Sequence, residues 1–125
     1  MKFMKSVKKQ VAAGMLCGTM MFSAITVGAM TSNVDGILYT KNPIYSAPQG
    51  YAWTMGFGTI TAECTVSKSG YETKTVSSSG TGGSTIETDW VTGPTWEAAG
   101  TIFKSKHTGY SVDGVFQTLT ASKEY

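Results

Sequence analysis

Between Trp53 and Val66 apolar and polar residues alternate, and the alternation changes phase. Trp53, Met55 and Phe57 stand on odd positions, whereas Ile60, Ala62, Cys64 and Val66 stand on even ones. Successive side chains of a strand point to opposite faces, so one strand holds both sets on one side only if an extra residue intervenes. The pattern predicts a bulge or bend near Gly58, with Gly56 and Gly58 supplying the backbone freedom. One long bent strand of this kind serves two packed sheets, or the corner of one.

The rest of the chain agrees with a β architecture. After Ala29, Ser and Thr make up 28 of 96 residues, with twelve Gly and twelve aromatics, while Leu is reduced to Leu38 and Leu119. Thr and aromatics favour pleated, half-buried surfaces, and Gly favours tight connections. No long window places apolar residues at the three- and four-residue spacing of a helix. The expected fold is all-β, a small antiparallel β-sandwich of about seven strands preceded by a signal peptide.

Further strands are expected over residues 36–40, 71–77 and 85–91. The stretch 71–77 reads as the antiparallel partner of 60–66, and 77–84 (SSSGTGGS) as a flexible loop. Ile86, Thr88 and Trp90 share a face by alternation, which places Trp90 and Trp53 in the core. Trp96 to Ala99 reads either as one helical turn capped by Thr95 or as the start of a strand with a bulge at Gly100. Asp113-Gly114 between β-forming runs is the signature of a two-residue type I′ hairpin, pairing Val112 with Val115 and Tyr110 with Gln117.

The amino-terminal segment reads as an address. Lys2, Lys5, Lys8 and Lys9 precede an apolar stretch of 19 residues, 11–29, which ends in small residues with Val27 and Ala29 at the −3 and −1 positions of a cut before Met30. The stretch approaches the roughly 20 residues that span a bilayer. Its interruption by Gly and hydroxyl residues, and the lack of a basic stop signal after it, favour a cleaved secretory signal over a retained anchor. The expected division is a signal peptide at 1–29, an entry segment with the first short strand at 30–50, and a β-sandwich core at 51–125. The expected location is extracellular, without a membrane span after cleavage.

Charge and ligand counts exclude several chemistries. Beyond Ala29 the chain has six Lys, no Arg and eight acidic residues, a formal charge of −2. Nucleic-acid binding, which needs clustered cations, is not expected. One His and one Cys in this region do not make a zinc site. Glu87 and Asp89 read as a solvated face, and no cofactor is expected. Cys64 alternates with Ile60, Ala62 and Val66, so it is expected to be buried rather than joined to a second chain. A Cys64–His107 nucleophile would need a thiolate within reach of the imidazole, which burial disfavours. No G-x-S-x-G elbow occurs, and GTGGS lacks the Lys of a phosphate loop. The chain is expected not to be an enzyme.

Aromatic residues are the best functional lead. Flat rings bearing a polar handle suit wet interfaces. The candidate binding residues are Trp96, which follows Gly93-Pro94, Tyr110, and the basic group Lys104, Lys106 and His107, which reads first as a solvated strand end and second as a contact for wall polyanions. The Lys-rich leader, the Gly50-Tyr51 start of the first long strand, the Ser/Gly/Thr loop and the run from His107 to Thr120 resemble uncharacterised small secreted β-rich proteins of Gram-positive bacteria. In architecture alone the chain is similar to lactococcin-type bacteriocins, a resemblance that implies binding of a cell-wall precursor. The expected function is a secreted, non-catalytic binding module for cell wall, glycan or an extracellular protein. A bacteriocin-like effector on the cell envelope is the alternative, and self-association through edge strands is a further expectation.

Overall fold

The chain leaves one sheet at Met55 and enters the other at Phe57. The computed structural model describes residues 15–17, 20–27, 34–81 and 85–125, with side chains described for 34–81 and 85–125. Its strands are β1 (Met15–Cys17), β2 (Met20–Val27), β3 (Asp35–Pro43), β4 (Gln49–Met55), β5 (Phe57–Ser67), β6 (Lys74–Thr81), β7 (Thr85–Glu87), β8 (Val91–Thr92), β9 (Ile102–Tyr110) and β10 (Phe116–Glu124). One sheet runs β1-β2-β3-β4, with β7 and β8 along the far edge of β4; the other runs β10-β9-β5-β6. Every pairing described is antiparallel. The molecule is an all-β sandwich.

The bend falls where the phase change predicted it. Gly58 has φ 65°, and the β5–β9 register shifts between Phe57 and Thr61. The inward side is different from the expected one. In β4 the even residues Gly50, Ala52 and Thr54 are buried, while Tyr51, Trp53 and Met55 face outward, so Trp53 lies outside the core.

A second bulge corrects the placement of Trp90. Trp53 pairs with Glu87 but Gln49 pairs with Thr92, so the β7–β8 edge carries one extra residue. Thr88 closes the gap: its N–H donates to Ala52 O at 2.9 Å, and its hydroxyl accepts from Ala52 N at 3.0 Å and donates to Asp89 O at 2.8 Å. Val91 takes the inward position, 4% exposed, and Trp90 turns outward, 40% exposed.

Three local expectations are also revised. Strand β6 starts at Lys74 and continues through Ser77 to Thr81, paired with β5, so much of the expected loop is strand; Gly82, Gly83 and Ser84 lie outside the described residues. No helix occurs among the described residues; the Thr95 hydroxyl donates to Glu97 O at 3.0 Å within a bend. The last hairpin pairs Tyr110 with Phe116, one residue out of the expected register. Its loop is a turn closed by Gly114 N–H to Ser111 O at 2.9 Å, with positive φ at Gly114 and not at Asp113. A type I′ turn needs positive φ at both central residues, and Asp113 does not adopt it, so a three-residue loop forms instead.

The leader expectation lies partly outside the described residues, including its Lys-rich start and Ala29. In the full-length chain β2 pairs with β3 from Met20 opposite Pro43 to Val27 opposite Gly36.

The core is built from small residues and two rings. Leu38, Ala52, Ala62, Cys64, Val66, Val91 and Phe103 form its main cluster, and Val34 packs with Leu119 beside it. The sheets come close where glycines of one receive rings of the other. A Cβ on Gly50 would lie 2.7 Å from the Phe103 ring, and one on Gly36 would overlap the His107 ring. Gly36→Ala is expected to destabilise the protein by about 1–3 kcal/mol through overpacking, measured by urea unfolding.

Candidate functional site

The outer face of the β3–β4 pair carries an aromatic platform. Pairing sets Tyr39 opposite Tyr51, and their rings stack at 4.8 Å between centroids and 15° between planes. The bulge at Thr88 brings Trp90 edge-on to Tyr51, at 4.6 Å and 73°. Lys41 Nζ sits 4.3 Å from the centroid of the Trp90 ring, a cation–π contact. Gln49 Nε2 donates to Thr92 Oγ1 at 3.0 Å along the same edge. Glu87, opposite Trp53, places a carboxylate near both phenols.

These surroundings keep the tyrosines protonated. Burial first, and then the Glu87 charge, push the Tyr39 hydroxyl above its usual range. Tyr51 is raised further, by burial, then Tyr39, then Glu87. Both phenols therefore remain donors across the physiological range. The platform combines ring surface with phenol and ammonium donors and amide and carboxylate acceptors.

The sequence-derived residues fall in three places. Trp96 is 63% exposed, on a loop that Lys68 ties down by donating to Thr95 Oγ1 at 2.9 Å and to Glu97 O at 2.6 Å. The same end carries exposed Tyr71 and Tyr45, the latter with φ 60°. Tyr110 lies at the opposite end, in edge contact with Phe116 at 5.3 Å. Lys104 and Lys106 project outward from the middle of β9. His107 is separated from them, because adjacent strand residues face opposite ways: its ring is fully buried between the sheets.

His107 is a structural link. Its Nδ1 lies 2.8 Å from Thr54 Oγ1 of the facing sheet, and its Nε2 lies 2.8 Å from Ser105 Oγ. Hydroxyls both donate and accept, so either neutral tautomer is satisfied. Burial lowers its pKa to about 4, against a backbone hydrogen bond at Trp53 that raises it. Cys64 is free and buried, as its alternation predicted, and burial pushes its thiol up to about 12. Cys64 and His107, whose use as a nucleophilic pair the sequence disfavours, thus both sit inside the core, protonated and neutral respectively, with both side chains closed to solvent. Among the described residues no three His, Cys, Asp or Glu side chains group as metal ligands, and no helix is long and apolar enough to cross a membrane.

Sequence reasoning missed Tyr39, Tyr51, Lys41 and Trp90 as a group. The signal for the first three was present: the turn marked by Asn42-Pro43 and Pro48-Gln49 brings Tyr39 and Tyr51 together on the face opposite Leu38 and Ala52. Trp90 depended on the bulge. Fold and surface together define a small β-sandwich with an aromatic outer platform. Comparison with protein families, with curated proteins and with solved structures finds no match for this chain.

Two outcomes follow from the buried groups. The unfolded chain protonates His107 near 6.5 and the folded chain near 4. As pH falls through that window the unfolded state takes up a proton that the folded state excludes, so stability present above about 6.5 is lost towards 4. Urea unfolding of the parent is expected to lose about 2–3 kcal/mol more between pH 7 and about pH 4.5 than unfolding of His107→Gln, which shares every other titrating group. Cys64 is expected to resist thiol reagents in the native protein and to react fully in denaturant.

Proposed function

We propose that this protein is a secreted, non-catalytic binding module that holds a glycan of the cell exterior on the Tyr39–Tyr51–Trp90 platform. The platform is the observation that carries this reading. Trp90 is displaced from the core by a bulge, although an inward Trp would bury more apolar area, and it is held over Tyr51 by ring packing and by Lys41. Sugar rings present apolar C–H faces to such a surface and hydroxyls to its rim, where Gln49, Glu87 and the phenols alternate donors with acceptors. The burial of Cys64 and His107 supports the non-catalytic part, since neither can meet a substrate without unfolding. The secretory pattern of the first 29 residues supports the extracellular part.

Titration of the purified protein with uncharged N-acetylglucosamine oligosaccharides, followed by Trp fluorescence and calorimetry, tests the reading. Trp90→Ala is expected to weaken binding tenfold or more, equivalent to about 1.4 kcal/mol, while leaving the unfolding free energy within about 1 kcal/mol of the parent. Trp96→Ala is expected to stay within about twofold. Equal binding by Trp90→Ala and the parent would remove the platform as the glycan site.

A further inference from the structure

The opposite outer face has another chemistry. The register of β10, β9, β5 and β6 arranges it in cross-strand rows: Ser122, Lys104, Thr65 and Thr75; then Thr120, Lys106, Glu63 and Ser77; then Thr118, Thr108, Thr61 and Ser79. Neighbouring hydroxyls bond to one another, Thr65 to Thr75 at 3.0 Å and Thr61 to Thr108. These twelve positions carry no apolar side chain. Glu63, Thr65, Lys104, Lys106, Thr120 and Ser122 line an open groove of about 690 Å³.

The two lysines of this groove are unengaged. Lys41 lies over Trp90, Lys68 is bonded to Thr95 and Glu97, and Lys123 lies over Tyr125. The side chains of Lys104 and Lys106 have no hydrogen-bond or ion-pair partner among the described residues, and neither does that of Glu63, although it stands opposite Lys106. The segment after Ala29 is acidic overall, so a positive groove within it is a local feature and not a reflection of net charge. Residues two apart on a strand lie about 7 Å apart on one side. Two ammonium groups at that interval, bordered by hydroxyl donors, suit a linear polyanion that can place two of its charges at that separation. An apolar or neutral partner would leave both charges unpaired.

We propose that this groove binds a linear phosphate polymer, with Lys104 and Lys106 pairing phosphates about 7 Å apart along it and Thr65, Thr120 and Ser122 donating to their oxygens. The site is independent of the glycan platform and lies on the other sheet. Its ligand chemistry is shared by glycerol-phosphate chains of a cell wall and by inorganic polyphosphate.

The test is fluorescence polarisation of the full-length protein with labelled inorganic polyphosphate and, separately, with labelled poly(glycerol phosphate), from about 50 to about 200 mM salt. Tighter binding of one polymer identifies the source. Lys104→Ala/Lys106→Ala is expected to lose tenfold or more in affinity and to flatten the dependence of log K on log salt by about 1.4, the share of two released counterions on a single chain. Lys104→Arg/Lys106→Arg is expected to keep the affinity within about threefold, because the charge is retained. Glu63→Gln is expected to tighten binding at least twofold by removing the one carboxylate of the groove. Trp90→Ala is expected to leave polymer binding unchanged, and the double Ala variant to leave oligosaccharide binding unchanged, so the two sites fail separately. Affinity that survives the double Ala substitution would overturn the proposal and place binding elsewhere on the chain. Failure of both polymers to bind would overturn it as well.

Discussion

The two sheets are held at close range by rings seated over glycines. Phe103 and His107 stand four residues apart on the inner face of β9 and fill the spaces left by Gly50 on β4 and Gly36 on β3. A chain with so few Leu residues after Ala29 cannot fill a wide gap between sheets, so it narrows the gap. The narrow gap explains the rest of the interior: Ala52, Ala62 and Cys64 line it, Thr40 and Thr54 are buried with their hydroxyls satisfied across it, and the buried Ser105 hydroxyl is satisfied by His107 of its own strand. The Tyr125 hydroxyl donates to Thr40 Oγ1 at 2.9 Å, a second polar tie between the sheets beside Thr54–His107. Buried hydroxyls of this kind cost little when paired and much when orphaned, which makes the closely fitted core dependent on a neutral His107.

With so thin an interior, the large aromatic side chains are displaced to the surface. This explains why the sequence pattern located the bend at Gly58 yet mistook the direction of Trp53. Alternation reports that residues share a face and is silent on which face is inside. In β4 the inward set is Gly50, Ala52 and Thr54, a set without bulk, and the apolar outward set Tyr51, Trp53 and Met55 outweighs it in hydrophobicity. For β5, where Ile60, Ala62, Cys64 and Val66 are the only apolar set, the inward side was legible and Cys64 was placed correctly. The size of side chains thus misleads in a chain whose core selects for smallness.

Single-residue insertions account for the other differences. One extra residue near Thr88 turns Trp90 outward and Val91 inward, and one extra residue in the last hairpin moves Phe116 opposite Tyr110. Each rests on a backbone detail that periodicity does not record: the Thr88 hydroxyl satisfying Ala52 N–H, and Asp113 remaining outside the left-handed region. The candidate site inherits this sensitivity. Lys104 and Lys106 were legible as an outward pair because β9 alternates without interruption, whereas His107, next in sequence, had to point the other way. The Tyr39–Tyr51 stack was legible from the turn between β3 and β4, and its third ring was not.

The sheet edges complete the division of the surface. In the full-length chain β2 covers the outer edge of β3, and cleavage after Ala29 would take β2 away and leave β3 as the edge. An uncovered edge invites pairing with another chain. Strand β3 carries features that oppose this: Pro43 has no N–H to offer, and Asp35 and Lys41 put charge near its two ends. The side chains of Tyr39 and Lys41 stand on the same outer face that bears the platform, so a partner strand added at this edge would extend the sheet beside the platform without covering it. Ligand binding on the aromatic face and strand addition at the β3 edge are therefore geometrically compatible. The hydroxyl-lined face, on the other sheet, is untouched by either.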